Sequence, residues 1–262
     1  MDLHVEKSAQ GLVEVRLMRA AQHNAFNEAL IGALRDSFLQ ISGYDDVRAV
    51  LLSGDGPSFC AGADISYMRA AGAMDMDENI AAAQAMSDMF AAIADCPVPV
   101  IAHVHGAVYG GGVGLAAVAD LVVAESDTRF RLSEVRIGMS PATIAPFVLR
   151  AIGARQALRY FTTAEIFDAP TAQHMGLVHH VAADRDAAEQ QVLAWWQALQ
   201  AAGPQAVRAS KALVRDFGGK DITAELRAET ARRIALRRAS DEGREGLAAF
   251  LEKRRPQWDA DA

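Results

Sequence analysis

The chain has 262 residues, of which 51% are hydrophobic, and a formal net charge of −7. This length fits one large domain or a domain with an appendage, and the negative charge argues against a nucleic-acid partner, for which a basic surface is expected. Its two cysteines, Cys60 and Cys96, are too few for a disulfide framework and lack metal-ligand spacing. Apolar stretches end well before about 18 residues and the N-terminus lacks a signal-peptide pattern, so we expect a cytoplasmic protein that does not enter the membrane.

The first part of the chain alternates strand and helix patterns. Apolar alternation predicts a strand over 12–17, helical periodicity predicts a helix over 28–41, and a buried-strand pattern covers 48–54. A long helix is predicted over 79–94, and the run from Pro97 repeats the buried-strand pattern. Such repeats predict an α/β core with stacked layers.

The second part of the chain changes character near Arg185. Before that point the patterns predict strands over 120–125, 128–133 and 177–181, and helices over 143–151, 154–161 and 171–175. After it only helical patterns follow, four in number. Apolar stripes beyond a complete core favour packing against other subunits, so we divide the chain into a core of residues 1–195 and a helical oligomerisation module of residues 196–262.

Two glycine loops follow buried-strand patterns. Residues 103–120, HVHGAVYGGGVGLAAVAD, lead a strand into three glycines and then into a small-residue helix, and residues 57–68, PSFCAGADISYM, place a glycine before another predicted helix. Such turns expose backbone N–H groups to an anion or a polarised carbonyl oxygen. The spacing excludes dinucleotide-binding and P-loop motifs. The carboxylate of Glu134, in FRLSEVRIGMSP, adds a candidate acid/base.

The motifs FCAGADI, HGAVYGGGVGLAAVADLVVA and FRLSEVRIGMSP, with the closing EGREGLAAFLEKRRPQW, carry a family resemblance. In this combination and order the chain resembles the enoyl-CoA hydratase/isomerase (crotonase) superfamily over nearly its whole length. The resemblance implies a crotonase-type ββα spiral core, a C-terminal α-helical trimerisation module, a homotrimer or homohexamer, and an acyl-CoA thioester as substrate. It implies no metal or redox cofactor, because coenzyme A enters as part of the substrate.

The resemblance also assigns the site residues. The oxyanion hole, a pair of N–H donors for the thioester oxygen, falls on the backbone of Ala63 and Gly111, and the acid/base falls on Glu134. Contacts with coenzyme A or the acyl group fall on Ala25, Ala61, Asp64, Ile65, Gly110, Pro141, Phe250 and Lys253.

One position departs from the family's hydratases, which typically use two glutamates to hold and split the water. The position of the first of these glutamates is occupied by Gly114 in this chain, so Glu134 is the single carboxylate left for catalysis. One glutamate can serve hydration, or it can move a proton between two carbons as in the family's isomerases. A homologue that binds acyl-CoA with little activity is a third alternative.

Further residues favour hydration of a particular substrate type. The stretch from SEVR to the Arg-Tyr-Phe at 159–161 resembles bacterial methylglutaconyl-CoA hydratases, which indicates a branched or glutaconyl-type thioester. The distal carboxylate of such a substrate favours a cation, and Arg69 and Arg136 are the nearby candidates. His103 and His105 alternate on the predicted strand and are interpreted as structural hydrogen-bonding groups, with water positioning as the alternative.

Overall fold

The computed structural model describes residues 2–259 and divides them into two compact units. The first, called the core unit here, covers the chain up to Cys96 and Val100–Val192. The second, called the helical unit, covers Pro97–Pro99 and the chain from Leu193 onward. No helix within residues 2–259 has both the length and the apolar character that crossing a bilayer requires.

Nine strands of the core unit form two sheets. They are β1 (Leu3–Lys7), β2 (Leu12–Leu17), β3 (Ala49–Gly54), β4 (Val100–Val104), β5 (Ala107–Tyr109), β6 (Leu121–Glu125), β7 (Arg129–Arg131), β8 (Phe167–Asp168) and β9 (His180–Ala182). The larger sheet has the order β1-β2-β3-β4-β6-β9 and is parallel except for β1, and the smaller has the order β5-β7-β8. The α/β class predicted from the sequence is confirmed.

The strand patterns explain this arrangement. In β2 the apolar positions 13, 15 and 17 are buried and the alternate positions are half-buried, as expected for strict alternation. Every residue of β4 is buried, which fits a central parallel strand. The strand predicted over 177–181 begins only at His180, because the N–H groups of Leu177 and Val178 donate to the carbonyl of Ala172 and extend the preceding turn.

Six helices accompany these strands, namely α1 (Glu28–Ser42), α2 (Ile65–Ala71), α3 (Met76–Ala94), α4 (Gly111–Val118), α5 (Ala145–Thr163) and α6 (Ala169–His174). Side-chain caps start several of them: Asn27 accepts from Leu30 N, and Asp75 forms a capping box with Glu78. Within α5 the backbone of Gly153 has φ 73° and ψ 158°, which breaks the helix. The prediction of two successive helices in this region is therefore confirmed.

The later helices are α7 (Arg185–Ala201), α8 (Pro204–Phe217), α9 (Ala224–Ala239) and α10 (Asp241–Glu252), as the four helical patterns predicted. The carboxylate of Glu242 connects α8, α9 and α10. It accepts from the N–H groups of Gln205 and Ala206 at 2.8 Å each and pairs with Arg237 at 2.8 Å. A carboxylate at the start of α8 also complements that helix's dipole, so one side chain connects three helices of the helical unit.

Candidate active site

A cavity of about 330 Å³ lies within the core unit, bordered by both glycine loops, by α2 and α3, and by the segment after β7. Six residues that the resemblance assigned to the site line it together: Ala61, Ala63, Gly110, Gly111, Glu134 and Pro141. Segments far apart in sequence therefore meet around one space. This size and this concave shape suit a small-molecule site.

The first loop presents the N–H of Ala63. Phe26 pairs with this residue in a parallel bridge, in which Phe26 N donates to Gly62 O at 2.7 Å and Asp64 N donates to Phe26 O at 2.8 Å. In a parallel bridge the bonds run to the residues on either side of the partner, so Ala63 N–H is directed away from Phe26. That N–H donates to no group among residues 2–259.

The second loop presents the N–H of Gly111. Gly110 has φ 50° and ψ −116°, a conformation that requires glycine, and its N–H donates to Arg131 O at 2.8 Å. Helix α4 then begins at Gly111, whose N–H is the first of the helix and has no partner within it. The adjacent Gly112 allows close packing, because a Cβ there would lie 2.2 Å from Cys60 O.

The two loops touch each other. A Cβ on Gly62 would lie 3.7 Å from the Cα of Gly110, and a Cβ on Gly111 would lie 2.5 Å from the ring of Phe26. Phe26 therefore contacts both loops, through its backbone on one side and its ring on the other. Two unpaired N–H groups thus border one cavity.

Glu134 begins a 3-10 turn, Glu134–Ile137, three positions after β7 ends at Arg131. Its Oε1 lies next to the second loop, since a Cβ on Gly110 would be 3.1 Å from this oxygen. Its Oε2 is buried and has no hydrogen-bond partner among residues 2–259. Burial raises the pKa of this carboxyl above its ordinary value, although a backbone hydrogen bond partly opposes the shift. A cavity carboxyl with one buried, unpaired oxygen and a raised pKa is typical of an acid/base group.

The space beside Gly114 is filled by apolar side chains. A Cβ on this residue would lie 2.5 Å from Cγ2 of Ile144 and 2.9 Å from the ring of Phe90. The ring of Phe90 is itself fixed by an edge contact with Phe26 at 6.1 Å between centroids. The position that carries a glutamate in two-carboxylate members of the resembled family therefore has no room for one here.

Several assigned residues lie outside the lining. Ala25 is buried beside the first loop, and Ile65 is 72% exposed. The carboxylate of Asp64 caps α2, accepting from Ser66 N at 2.9 Å, and pairs with Arg19. In the helical unit, the side chain of Phe250 is exposed and Lys253 follows the end of α10 with φ 56°. Contacts of these five residues with coenzyme A or the acyl group stay predictions.

The two arginines considered for a distal carboxylate are exposed, and neither borders the cavity. Among the described residues, Glu134 is the charged side chain of the lining, and the other polar groups are neutral: Tyr67, Asn79, Ser133, Ser140 and Thr143. Sequence reasoning missed these neutral groups, because single serines, threonines and amides carry no motif.

His103 and His105 take part in structural hydrogen bonds. His103 Nε2 lies 3.1 Å from Glu125 Oε1, and His105 Nε2 lies 2.9 Å from Gly56 O. Neither histidine lines the cavity, and His105 follows the end of β4 rather than lying within it. The structural interpretation of both side chains fits these contacts.

Comparison with known proteins places the chain in a family. A sequence model described as enoyl-CoA hydratase/isomerase matches residues 7–261. Enoyl-CoA hydratase ACTT6 of Alternaria alternata is 36% identical over 205 residues, which are 78% of this chain and 67% of that protein. Human mitochondrial methylglutaconyl-CoA hydratase is 29% identical over 260 residues, 97% of this chain and 76% of the relative.

Solved structures of similar sequence have the same fold. Pseudomonas aeruginosa AtuE superposes with a TM-score of 0.95 at 37% identity, covering 99% of this chain and 100% of that one. An enoyl-CoA hydratase from Shewanella pealeana gives 0.94 at 35% identity, with 98% and 96% covered. The chain belongs to the enoyl-CoA hydratase/isomerase family. The crotonase fold, its C-terminal helical module and the assignment as an enzyme of enoyl-CoA hydratase type are thereby confirmed.

Proposed function

We propose that this chain is a 2-enoyl-CoA hydratase, which adds water across the α,β double bond of an acyl-CoA thioester. The observation that carries the proposal is the carboxylate of Glu134, whose buried Oε2 has no partner among residues 2–259, beside two unpaired N–H groups in one cavity. Hydration of an enoyl thioester needs a proton carrier and a site for negative charge on the thioester oxygen. Both are present within the same 330 Å³.

In the proposed reaction the thioester oxygen accepts hydrogen bonds from Ala63 N–H and Gly111 N–H. The carboxylate of Glu134 removes a proton from water while the water oxygen bonds to the β-carbon, and the electron pair of the double bond moves onto the thioester oxygen. The protonated Glu134 then delivers its proton to the α-carbon, which restores the thioester and the carboxylate. Donors aimed at developing charge contribute about 3–4 kcal/mol each in known cases.

For the acyl group we propose methylglutaconyl or a related branched chain. The similarity to human methylglutaconyl-CoA hydratase over 97% of the chain supports this choice. No cation lines the cavity within the described residues, so a distal carboxylate would contact neutral groups. Asn79 is one such group and is exposed, so a carboxylate beside it would keep part of its hydration and pay little desolvation energy.

Double-bond isomerisation is the second candidate, because Gly114 leaves a single carboxylate and one carboxylate is sufficient to move a proton between two carbons. The decisive experiment incubates the purified protein with crotonyl-CoA, methylglutaconyl-CoA and a 3-enoyl-CoA, and follows enoyl absorbance and products. Hydrated product without isomerised product supports the proposal. Isomerised product alone supports the second candidate, and binding without turnover of any thioester leaves an acyl-CoA-binding homologue.

The pH dependence of hydration should report the environment of Glu134. Because the ionised form accepts the proton of water, kcat/KM should fall as the pH decreases through the pKa of this carboxyl in the free enzyme. Burial raises that pKa, so the acid limb should lie above the ordinary glutamate value of 4.5. Initial rates between pH 4 and 9, with unfolding temperatures at each pH, check this. A limb at or below 4.5 in folded protein contradicts it.

We further propose that residues 196–262 form the oligomerisation module of a homotrimer or homohexamer. Large apolar side chains are exposed on its helices when the chain is taken alone, among them Val214, Leu236, Leu247 and Leu251. Light scattering on the purified protein tests this assembly, and a monomer at micromolar concentration contradicts it. The cytoplasmic location, the absence of a metal or redox cofactor and the absence of a nucleic-acid partner stay predictions.

A further inference from the structure

We propose that Arg19 is a positioning residue for the oxyanion hole: its guanidinium holds the segments on both sides of the Phe26–Ala63 bridge and thereby fixes the direction of the Ala63 N–H. The inference rests on the proposed function, in which that N–H binds the thioester oxygen. Arg19 lies in a stretch that carries no motif.

Two contacts of the Arg19 guanidinium flank the Phe26–Ala63 bridge, and a third joins its Nε to Asp2 Oδ2 at 3.3 Å. Its Nη2 lies 3.1 Å from Oδ2 of Asp64, the residue that follows Ala63. Its Nη1 donates to the carbonyl of Ala25, the residue before Phe26. The side chain of Arg19 is 12% exposed and that of Asp64 is 14% exposed, so the pair is largely shielded from water. Charge-assisted bonds of this kind are stronger and more directional than neutral ones.

The same two segments form the bridge that orients the donor. Phe26 N donates to Gly62 O and Asp64 N donates to Phe26 O, so the peptide of Ala63 is held between two backbone bonds. Arg19 connects the residues just outside these bonds, Ala25 and Asp64. The backbone N–H of Arg19 also donates to Asn24 Oδ1 at 2.8 Å, which fixes the backbone from which the guanidinium extends. Arg19 therefore holds the chain on both sides of the peptide that carries the Ala63 N–H.

The planar fork of the guanidinium is needed for this geometry. Two different nitrogens bind a carbonyl and a carboxylate at once, which a lysine ammonium at the end of a flexible stem reproduces poorly. The carboxylate of Asp64 keeps its other oxygen, Oδ1, on Ser66 N as the cap of α2. Loss of Arg19 therefore leaves helix α2 capped and releases the loop in front of it. A misplacement of about 1 Å at a reacting centre is enough to cost about 100-fold in rate.

The experiment measures polarisation of the bound thioester rather than turnover alone. Butyryl-CoA, a saturated thioester that cannot be hydrated, is labelled with ¹³C at the thioester carbonyl and bound to Arg19→Met, Arg19→Lys, Asp64→Asn and the parent protein. Its carbonyl stretch is recorded by difference infrared spectroscopy, and rates are measured separately with crotonyl-CoA. In the parent protein we expect a shift to lower wavenumber relative to water. Arg19→Met should lose at least half of this shift, with kcat lower by about 10- to 100-fold and KM changed by less than about threefold.

The companion variants make the result specific. Arg19→Lys should recover part of the shift, and the double variant Arg19→Met/Asp64→Asn should lose no more than the larger single loss, because the partners act as one unit. Arg159→Met is the matched control: it removes an exposed ion pair with Glu165, outside the cavity lining, and should leave both shift and rate unchanged.

The outcomes separate this inference from the proposed function. A parent protein that binds the thioester without any carbonyl shift overturns the proposed hole, and the role of Arg19 with it. A full shift in both parent and Arg19→Met overturns the positioning role and leaves the hydratase proposal standing. If Arg19→Met does not fold, Asp64→Asn decides, because it keeps the Oδ1 cap of α2 and loses only the charged partner. An unchanged shift in that variant overturns the inference.

Discussion

Replacement of Glu134 by glutamine should lower the rate of enoyl-CoA hydration by about 10³-fold, because the amide cannot accept the proton of water. The dissociation constant of an unreactive acyl-CoA should change by less than about threefold, since glutamine fills the same volume beside Gly110. Stopped-flow or steady-state rates with crotonyl-CoA, together with calorimetric binding, measure both quantities. Hydration at a tenth of the parent rate or more would falsify the assigned role.

The same variant should also be at least as stable as the parent protein at pH 8. Burial raises the folded-state pKa of Glu134 above its unfolded value. A raised carboxyl pKa contributes stability that is fully present below the unfolded pKa and is lost as the pH rises through the folded pKa, so the ionised side chain destabilises the fold at neutral and alkaline pH. Glutamine carries no charge, so its advantage in unfolding temperature should disappear towards pH 4.

Glu165→Gln is the matched control for the direction of this pH dependence of stability. Glu165 pairs with Arg159 at 2.7 Å, and hydrogen bonds from that arginine lower the pKa of the Glu165 carboxyl. The ionised Glu165 carboxylate therefore stabilises the fold at high pH, and this stabilisation is lost as the pH falls. The dependence is opposite to that of Glu134. Glutamine at Glu165 should not raise the unfolding temperature at pH 8. Thermal unfolding at pH 4 and pH 8 distinguishes the two glutamates, and equal behaviour of both variants contradicts the prediction.

Gly114→Glu should destabilise the protein instead of restoring a second catalytic carboxylate. The new side chain would start 2.5 Å from Cγ2 of Ile144 and 2.9 Å from the ring of Phe90, at a buried position of α4. Overpacking and burial of a carboxyl without a partner together should lower the free energy of unfolding by about 3 kcal/mol or more. For a chain of this size that corresponds to a decrease of about 6–12 °C in unfolding temperature.

The control is Gly32, another glycine inside a helix. A Cβ at Gly32 has no atom within 4 Å, so Gly32→Ala should be neutral or stabilising by up to about 1 kcal/mol. Gly114→Ala should already destabilise, since its Cβ alone meets the same two side chains. Differential scanning fluorimetry of the three variants checks the order. A Gly114→Glu variant with parental stability and faster hydration contradicts the argument.

The site was predictable from sequence where glycines and a strand end define it. Gly110 needs a positive φ, Gly112 needs close approach to Cys60 O, and Glu134 lies three positions after the end of β7. Local sequence patterns therefore indicate residues on both sides of the cavity. The resemblance supplied the roles of the N–H groups. These features depend on residues within a few positions of one another, so a local sequence pattern is sufficient to predict them.

Other features depend on partners far apart in sequence. Arg19 meets Asp64 across 45 positions, and no local pattern distinguishes that arginine from its neighbours. The assignment of Asp64 to ligand contacts stays a prediction, but the roles of its carboxylate as the cap of α2 and the partner of Arg19 were not foreseen. Strand β1 was not predicted, because a short strand at a sheet edge is defined by its antiparallel register with β2 rather than by burial of alternate residues.

The packing around Gly114 also restricts the evolutionary routes open to this chain. Two of the four glycine codons become glutamate codons by a single nucleotide change, yet that step places a carboxyl into space occupied by Ile144 and Phe90. A lineage that first shrinks either neighbour creates a cavity, which costs about 2–5 kcal/mol for large-to-small changes of this kind. A stable two-glutamate form of this chain therefore needs at least two substitutions, each of which is destabilising when made alone.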